Sequence, residues 1–383
     1  MPQQRALRAS LIRGGTSKGL YINESQLPAD LYKRASVISR LFGSPDKRQI
    51  DGIGGADILT SKVCIIGPST HPDADVNYTF GQVSIDLPAV SFENNCGNLS
   101  PGAAVYAIRE GFVRITEPVT TVRVFNTNTQ KILTARVPII DGEPAVDGDF
   151  AIDGVPGTGA EVVMDYSQTA GGATGKLLPF GQPKIRVFFE TLGREIDVTV
   201  VDIGNLTAIA KASDIGVAGT ELPDGPFSAY DFYSELQRKI GAMAGLKSTK
   251  TLPFTSLVAP AQDYISYKGA RVRAADIDFV ARHVRGPNEV FKTGVIHKAF
   301  PGTGSVAVAV AALIPGSVVN DVSSGDPSCG AVRIGHPSGV MNVAASVDAS
   351  GAEPRVTNVV FSRTVRPIMD GLIYIPESFY TTL

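Results

Sequence analysis

The stretch NNCGNLSPGAAVYAI, residues 94–108, places a cysteine directly before a run of small and apolar residues. Such a run lacks the polar face of a surface helix, so it predicts a buried helix over residues 97–110, through the middle of a domain. Cys96 then lies at the helix start, where backbone N–H groups and the helix dipole favour a thiolate or a bound carboxylate. We therefore expect a reactive thiol at Cys96.

This stretch has an echo 205 residues further along the chain. Setting residues 96–111 against residues 301–316 gives identities at Gly97/Gly302, Ser100/Ser305, Ala104/Ala309, Val105/Val310, Ala107/Ala312 and Gly111/Gly316. The repeat predicts two like domains, each with β-structure wrapped around its own central helix. Cys96 aligns with Pro301, so only one half carries the thiol.

The chain length supports this division, because 383 residues exceed what one ordinary core accommodates. The glycine-rich stretch 169–182 marks the predicted boundary, which gives an N-terminal domain over residues 1–180 and a C-terminal domain over residues 181–356. The tail, residues 357–383, is expected to return as a strand and complete the first sheet. The fold class is therefore α+β, with two pseudo-symmetric domains.

Local patterns predict the elements of both domains. Residues rich in β-branched side chains predict strands at 6–12, 61–66, 77–85, 120–125, 132–137, 184–189 and 196–201. Helical patterns occur at 31–42, 97–110, 232–244, 275–282 and 305–314.

The composition excludes several classes of protein. Charged residues make up 19% of the chain and the net charge is −2, so neither nucleic acid nor an anionic membrane is an expected partner. No segment has the length and apolarity of a signal peptide or a membrane span, which favours the cytoplasm. Cys64, Cys96 and Cys329 show no metal-binding spacing, so we expect reduced thiols and no metal or cofactor. Small molecules and further copies of the chain, as a homo-oligomer, are the expected partners.

Lys62 lies within the otherwise apolar strand 61–66, directly after a glycine-dense turn. An outward-facing lysine is the simpler interpretation. A lysine withdrawn from water, however, gives up its proton readily and can act as a base near neutral pH. Lys62 is therefore a candidate catalytic residue.

Two further motifs carry polar groups that could bind a substrate. Residues 13–19, RGGTSKG, combine backbone N–H groups, two hydroxyls and two cations, which suits a carboxylate or phosphate; a plain glycine-rich hairpin turn explains them equally well. Residues 335–339, GHPSG, contribute His336, a lone histidine in a turn that is more often structural.

These motifs, with residues 43–52, 59–63, 95–98 and 153–157, closely resemble those of the PrpF family from the first strand to the last. That family comprises cofactor-independent allylic isomerases. The resemblance implies the fold of diaminopimelate epimerase, with an active site in the cleft between two like domains. It also implies a small unsaturated polycarboxylate as substrate.

The resemblance assigns roles to particular residues. It implies that Lys62 and Cys96 are the catalytic pair. The implied substrate-binding set is Thr16, Ser17, Ser61, Gly97, Asn98, Asn205, Thr303, His336 and Ser338. Epimerases of this fold use a second cysteine, which would fall at Phe300 or Pro301, so its absence argues against racemisation and favours a one-thiol, one-lysine isomerase.

Within the family, residues 66–80, 154–178 and 296–303 look most like methylitaconate Δ-isomerases. Residues 99–106 and the sequence Gly204-Asn205-Leu206-Thr207 depart from the usual family pattern, and both are expected at the pocket wall. Methylaconitate or aconitate isomerisation and oxalomesaconate tautomerisation therefore stay open as alternatives. A different class also stays open, namely a non-catalytic polycarboxylate-binding accessory protein of an aconitase-type hydratase.

Overall fold

The structure of the chain, a computed structural model, describes residues 3–249, 252–288, 292–326 and 329–381. The strands of the first half are β1 (Gln4–Gly14), β2 (Ser17–Asn23), β3 (Lys62–Pro68), β4 (Val76–Val83), β5 (Val90–Ser91), β6 (Val119–Asn126), β7 (Lys131–Ile140), β8 (Glu143–Pro144), β9 (Phe150–Ala151), β10 (Thr158–Gly159) and β11 (Glu161–Asp165). Those that follow are β12 (Ile185–Phe189), β13 (Arg194–Ile203), β14 (Asn205–Lys211), β15 (Phe254–Pro260), β16 (Tyr264–Ile265), β17 (Arg271–Val272), β18 (Phe279–Arg285), β19 (Val295–Ile296), β20 (Ala331–His336), β21 (Gly339–Asp348) and β22 (Arg355–Pro376).

The α-helices of the described residues are α1 (Leu31–Phe42), α2 (Ser100–Arg109), α3 (Tyr230–Met243), α4 (Gly302–Ala312) and α5 (Glu377–Thr381). Among these residues, no helix has both the length and the apolar character needed to cross a bilayer.

The two halves repeat one topology. In the first half, the hairpin of β1 and β2 is followed by a parallel pair (β2 and β3), an antiparallel pair (β3 and β4), a parallel pair (β4 and β6) and an antiparallel pair (β6 and β7). The second half repeats this order with β13, β14, β15, β18, β20 and β21. Parallel neighbours need a crossover connection, and helices α1 and α2, then α3 and α4, lie in the equivalent crossovers. The echo in the sequence is therefore one part of a repeated topology.

Helices α2 and α4 are the central helices of the two halves. Every residue of α4 is buried, as are residues 100–108 of α2. In the first half, β1–β4, β6, β7, β11 and β22 pair in a closed ring of strands. Burying a valine side chain of α4 contributes roughly 1.5–3 kcal/mol relative to leaving it in water. The fold class predicted from the sequence is confirmed.

The last long strand, β22, joins the halves. It pairs with β1 from Gln4↔Pro376 to Gly14↔Val365, with β11 further back, and with β21 of the second half at its start. The tail thus returns to the first sheet. The boundary at residues 180/181 stays a prediction.

Four of the five predicted helices are present, with ends shifted by up to three residues. The prediction of a helix at residues 275–282 is wrong. A 3₁₀ turn at Ala274–Asp276 is followed there by strand β18. This strand lies between β15 and β20, and most of its residues are buried, so its sequence lacks the alternation of a half-exposed strand.

Truncating Phe361 on β22 tests whether this strand holds the halves together. Phe361 is buried and stacks on Tyr166 with 5.0 Å between ring centroids. We expect Phe361→Ala to destabilise the fold by about 3–5 kcal/mol, because it leaves a cavity in the core. Thermal unfolding followed by circular dichroism measures this effect. Tyr374→Ala, an exposed position of the same strand, is the control, and equal small shifts in both variants would contradict the prediction.

Candidate active site

The N-termini of α2 and α4 meet head to head between the halves. A Cβ atom added to Gly97 would lie 2.6 Å from the backbone nitrogen of Thr303, so only glycine permits this approach. The equivalent turns start the same way: Ser100 N donates to Cys96 O (2.9 Å), and Ser305 N donates to Pro301 O (2.8 Å). Neither helix has a side-chain N-cap. First-turn N–H groups have no partner within their helix, so the positive ends of both dipoles converge on one place.

Asn205, the first residue of β14, fixes the cysteine turn to α4. Its side-chain oxygen accepts from Asn95 N (2.9 Å), and its Nδ2 donates to Asn95 O (2.8 Å) and Thr303 Oγ1 (2.7 Å). All three residues are nearly or fully buried. The asparagine therefore sets the position of the residue before Cys96.

Lys62 enters the same region as the first residue of β3. Its Nζ donates to Gln82 Oε1 (2.8 Å) and lies 5.1 Å from the Phe80 ring centroid. The Gln82 amide cannot turn over, because its Nε2 donates to Ser61 O (2.9 Å) and Ile58 O (3.2 Å). Within the described residues, no carboxylate lies within 4 Å of Nζ. The amine is thus held by a neutral acceptor.

A cavity lies between the halves at this place. Six of the predicted site residues line it: Ser17, Lys62, Cys96, Gly97, Asn98 and Thr303. The structure therefore brings both predicted catalytic residues into one cavity, beside the two helix N-termini.

The other five predicted site residues lie outside the cavity lining, in supporting contacts. Thr16 Oγ1 accepts from Asn98 Nδ2 (3.1 Å), and Ser61 Oγ donates to Gln49 Oε1 (2.8 Å). Ser338 Oγ donates to the Lys298 carbonyl (2.6 Å), and His336 Nδ1 accepts from Ser338 N (3.2 Å). The fifth is Asn205, described above. A contact of these five residues with the substrate therefore remains a prediction.

Sequence reasoning missed much of the cavity wall. Residues it did not select include Phe80, Gln82, Asn94, Asn95, Phe254, Thr255, His283, Arg285 and His297. His283 and His297 belong to no recognisable motif, and their spacing is not that of metal ligands. The repeat could have indicated the lining residues of β15 and β18, because these strands are the counterparts of β3 and β4.

Burial holds both cavity histidines neutral. It lowers the pKa of His283 well below the ordinary 6.5 and, with the nearby charge of Lys62, lowers that of His297 to about 3. His297 Nδ1 accepts from Ala299 N (3.1 Å), so the ring proton of the neutral form is on Nε2. His297 can therefore donate a hydrogen bond.

The electrostatics of the cavity suit an anion. Lys62 and Arg285 line it, whereas no aspartate or glutamate does so within the described part of the chain. Burial lowers the pKa of Arg285 to about 10, which leaves it charged at neutral pH. Four lining residues carry buried polar atoms without a hydrogen-bond partner: Ser17 Oγ, Asn94 Oδ1, Asn95 Nδ2 and His283 Nδ1. Buried polar groups are normally paired, so these atoms indicate a polar ligand, and the two cations favour an anionic one.

The fold and the site define a class: proteins with a diaminopimelate epimerase-like fold, in which two buried central helices meet at a cavity. The chain belongs to the PrpF family. The model of this family, described as "PrpF protein", matches residues 4–376.

Relatives and a solved structure agree with this assignment. The chain is 41% identical to the 3-methylitaconate isomerase of Eubacterium barkeri, with 99% of each chain covered. It is 35% identical to the 2-methyl-aconitate isomerase of Cupriavidus necator, over 97% of this chain and 98% of that one. The crystal structure of a methylitaconate-delta-isomerase matches with a TM-score of 0.78 and 40% identity, over 99% and 98% of the two chains.

Replacing Asn205 tests the fixation of the cysteine turn. Asn205→Ala leaves the buried N–H of Asn95 without a partner, at a cost of about 1–3 kcal/mol, and leaves its C=O with only the long contact from Thr303 Oγ1 (3.5 Å). Opening of the turn becomes easier, and we expect Cys96 to react about tenfold faster with iodoacetamide, the change given by 1.4 kcal/mol. The rate is measured in a Cys329→Ser background, which removes the exposed thiol. Asn342→Ala, at an exposed position, is the control; equal rates in both variants would exclude the fixing role.

The neutral histidines predict a loss of stability in acid. The folded pKa of His297 lies below its unfolded value, so the unfolded chain binds more protons as the pH falls from about 6.5 to about 3. The free energy of unfolding therefore decreases through this window. We expect the free energy of unfolding of the His297→Gln variant to decrease less steeply as the pH falls. Urea unfolding at a series of pH values measures this dependence. His71→Gln, at a surface histidine, should keep the parent slope; an unchanged slope in His297→Gln would disprove the assignment.

Proposed function

We propose that this protein is a cofactor-independent isomerase that shifts a C=C bond by a 1,3-proton transfer in a small unsaturated di- or tricarboxylate. The observation that carries the proposal is the placement of Lys62 and Cys96 in one acid-free cavity, where two helix N-termini converge. Methylitaconate-like acids are the favoured substrates, because the chain is 41% identical to a 3-methylitaconate isomerase over nearly its whole length.

In the proposed mechanism, neutral Lys62 removes a proton from the carbon allylic to the double bond. The electron pair delocalises through the double bond into the adjacent carboxylate and forms a dienolate. The N–H groups of residues 97–98 and 302–303, with Ser17, are the candidate donors for its oxygens. The Cys96 thiol then protonates the far carbon, and the two residues exchange roles in the reverse direction.

Removing a weakly acidic allylic proton requires donors that bind the dienolate more strongly than the ground-state carboxylate. Fixed backbone N–H groups meet this requirement without reorganising during the reaction. Gln82 contributes by holding the Lys62 amine with a neutral oxygen instead of a carboxylate, which would favour the ammonium form. The chemistry needs a reduced Cys96, which favours a reducing compartment such as the cytoplasm. Assembly into a homo-oligomer stays a prediction.

The test is incubation of the purified protein with methylitaconate, cis-aconitate and oxalomesaconate in deuterated water, followed by NMR. We expect methylitaconate to be isomerised fastest, with deuterium on the newly protonated carbon. Lys62→Ala and Cys96→Ala should each reduce kcat by about 10²–10⁴-fold, the usual contribution of a general acid or base.

Lys47→Ala and Cys329→Ser are the matched controls, because both side chains are exposed and far from the cavity lining. Full activity in Lys62→Ala would remove the lysine from the mechanism. Binding of the three acids without turnover would favour the non-catalytic accessory role instead.

A further inference from the structure

Arg363, on strand β22, is a buried cation whose hydrogen bonds go to neutral groups. Its Nε donates to Asn98 Oδ1 (2.9 Å), its Nη1 to Ser362 O (2.8 Å) and its Nη2 to Met341 Sδ (3.2 Å). The side chain is 3% exposed and does not line the cavity. Over the described residues, no carboxylate lies within 4 Å of it. Burial lowers the pKa of Arg363 to about 10, so the guanidinium stays charged at neutral pH.

Such an arrangement is costly, because a buried charge loses its hydration and normally recovers the cost from an opposite charge. Another buried charge in this chain is paired with an opposite charge: Asp278, almost fully buried, pairs with Arg333 (2.7 Å). At Arg363 a permanent carboxylate would cancel the positive charge. The absence of one leaves a net positive field beside the turn that carries Cys96.

The other titratable groups near Cys96 are neutral. Cys64 on β3, Tyr21 on β2, Tyr78 on β4 and Tyr166 after β11 all interact electrostatically with it, and burial raises the pKa of each. Arg363 interacts with Cys96 from the β22 side and carries a permanent charge. Lys62 and Arg285, in the same cavity, are the further cationic groups, and the charge of Lys62 changes during the proposed reaction.

The contact with the cysteine turn is direct and fixed. Arg363 holds the oxygen of the Asn98 amide, while the nitrogen of that amide donates to Thr16 Oγ1. Gly15, with φ of +49°, makes room for both side chains: a Cβ atom there would lie 2.4 Å from Asn98 Oδ1 and 2.8 Å from Arg363 Cδ. The RGGTSKG turn thus seats the asparagine and the arginine beside Cys96.

We propose that Arg363 is a positioning residue: it orients Asn98 and supplies the fixed positive charge that favours the thiolate form of Cys96. For its effect on catalysis the proposal rests on the proposed function. Its effect on the thiol stands independently.

The experiment titrates Cys96 by its rate of alkylation with iodoacetamide against pH, in the full chain with Cys329→Ser. Arg363→Gln removes the charge and keeps a donor for Asn98, whereas Arg363→Lys keeps the charge. We expect the Gln variant to react about tenfold more slowly at neutral pH, the effect of one unit in the titration midpoint, and the Lys variant to stay near the parent. The kcat–pH profile for isomerisation of methylitaconate should be displaced along the pH axis by the same amount.

Arg282→Gln is the matched control. Arg282 is likewise buried, its hydrogen bonds go to backbone carbonyls, and its electrostatic partners are Tyr264, Glu221 and His336 instead of Cys96. Its replacement should leave the Cys96 titration in place. An equal displacement in both variants would assign the effect to general destabilisation and overturn the proposal.

Two other outcomes also overturn it: an unchanged titration in Arg363→Gln, or equal losses in the Gln and Lys variants, which would show a purely structural contact. If Arg363→Gln does not fold, Arg363→Met replaces it, because methionine also removes the charge and adds none beside Cys96. Slower alkylation is then expected, and an unchanged rate refutes the proposal. A displaced titration in a protein that isomerises none of the acids would contradict the proposed function alone.

Discussion

The contact of Gly97 with Gly302 and Thr303 is the constraint on which the rest of the structure depends. Two fully buried helices can meet at their N-termini only if both surfaces are backbone, and a single Cβ at Gly97 would separate them. Their free N–H groups then face one cavity, where like dipole ends oppose each other. Two helix ends of the same sign are unfavourable neighbours unless an anion lies between them, so the packing that completes the core also creates the proposed anion site.

A repeated scaffold carries an unequal set of side chains. Cys96 has Pro301 as its counterpart, and β15 begins with Phe254 where β3 begins with Lys62. The first half thus supplies both groups that we propose to transfer protons. The second half supplies Arg285, two neutral histidines and Phe254. This division suits a 1,3-proton shift between two carbons of an allylic system better than a symmetric two-base exchange at one carbon.

Fixed positive charges and neutral hydrogen-bond acceptors lie near Lys62 and Cys96, whereas carboxylates lie further away. Amide side chains lie beside both proposed catalytic residues: Gln82 accepts from Lys62, and Asn98 lies two residues after Cys96. Carboxylates occur further out, for example in the bridge between Asp57 and Lys298 that joins the halves at 2.8 Å. An acid next to the lysine would keep it protonated, and an acid next to the thiol would disfavour its anion.

The sequence by itself determined the two central helices, the unmatched cysteine, the lysine in an apolar strand and the family. These features are local in the sequence or repeat at a fixed spacing. The alternating valines and alanines of α4 resemble a strand, and only the repeat of the Cys96 stretch identifies this segment as a helix. Tertiary structure decided that β18 is a strand, that Asn205 fixes the cysteine turn, and that Gln82, His297 and Arg363 surround the reactive pair. Those contacts join residues 20 to 265 positions apart in the chain, and strand pairing and burial, which no local pattern encodes, bring them together.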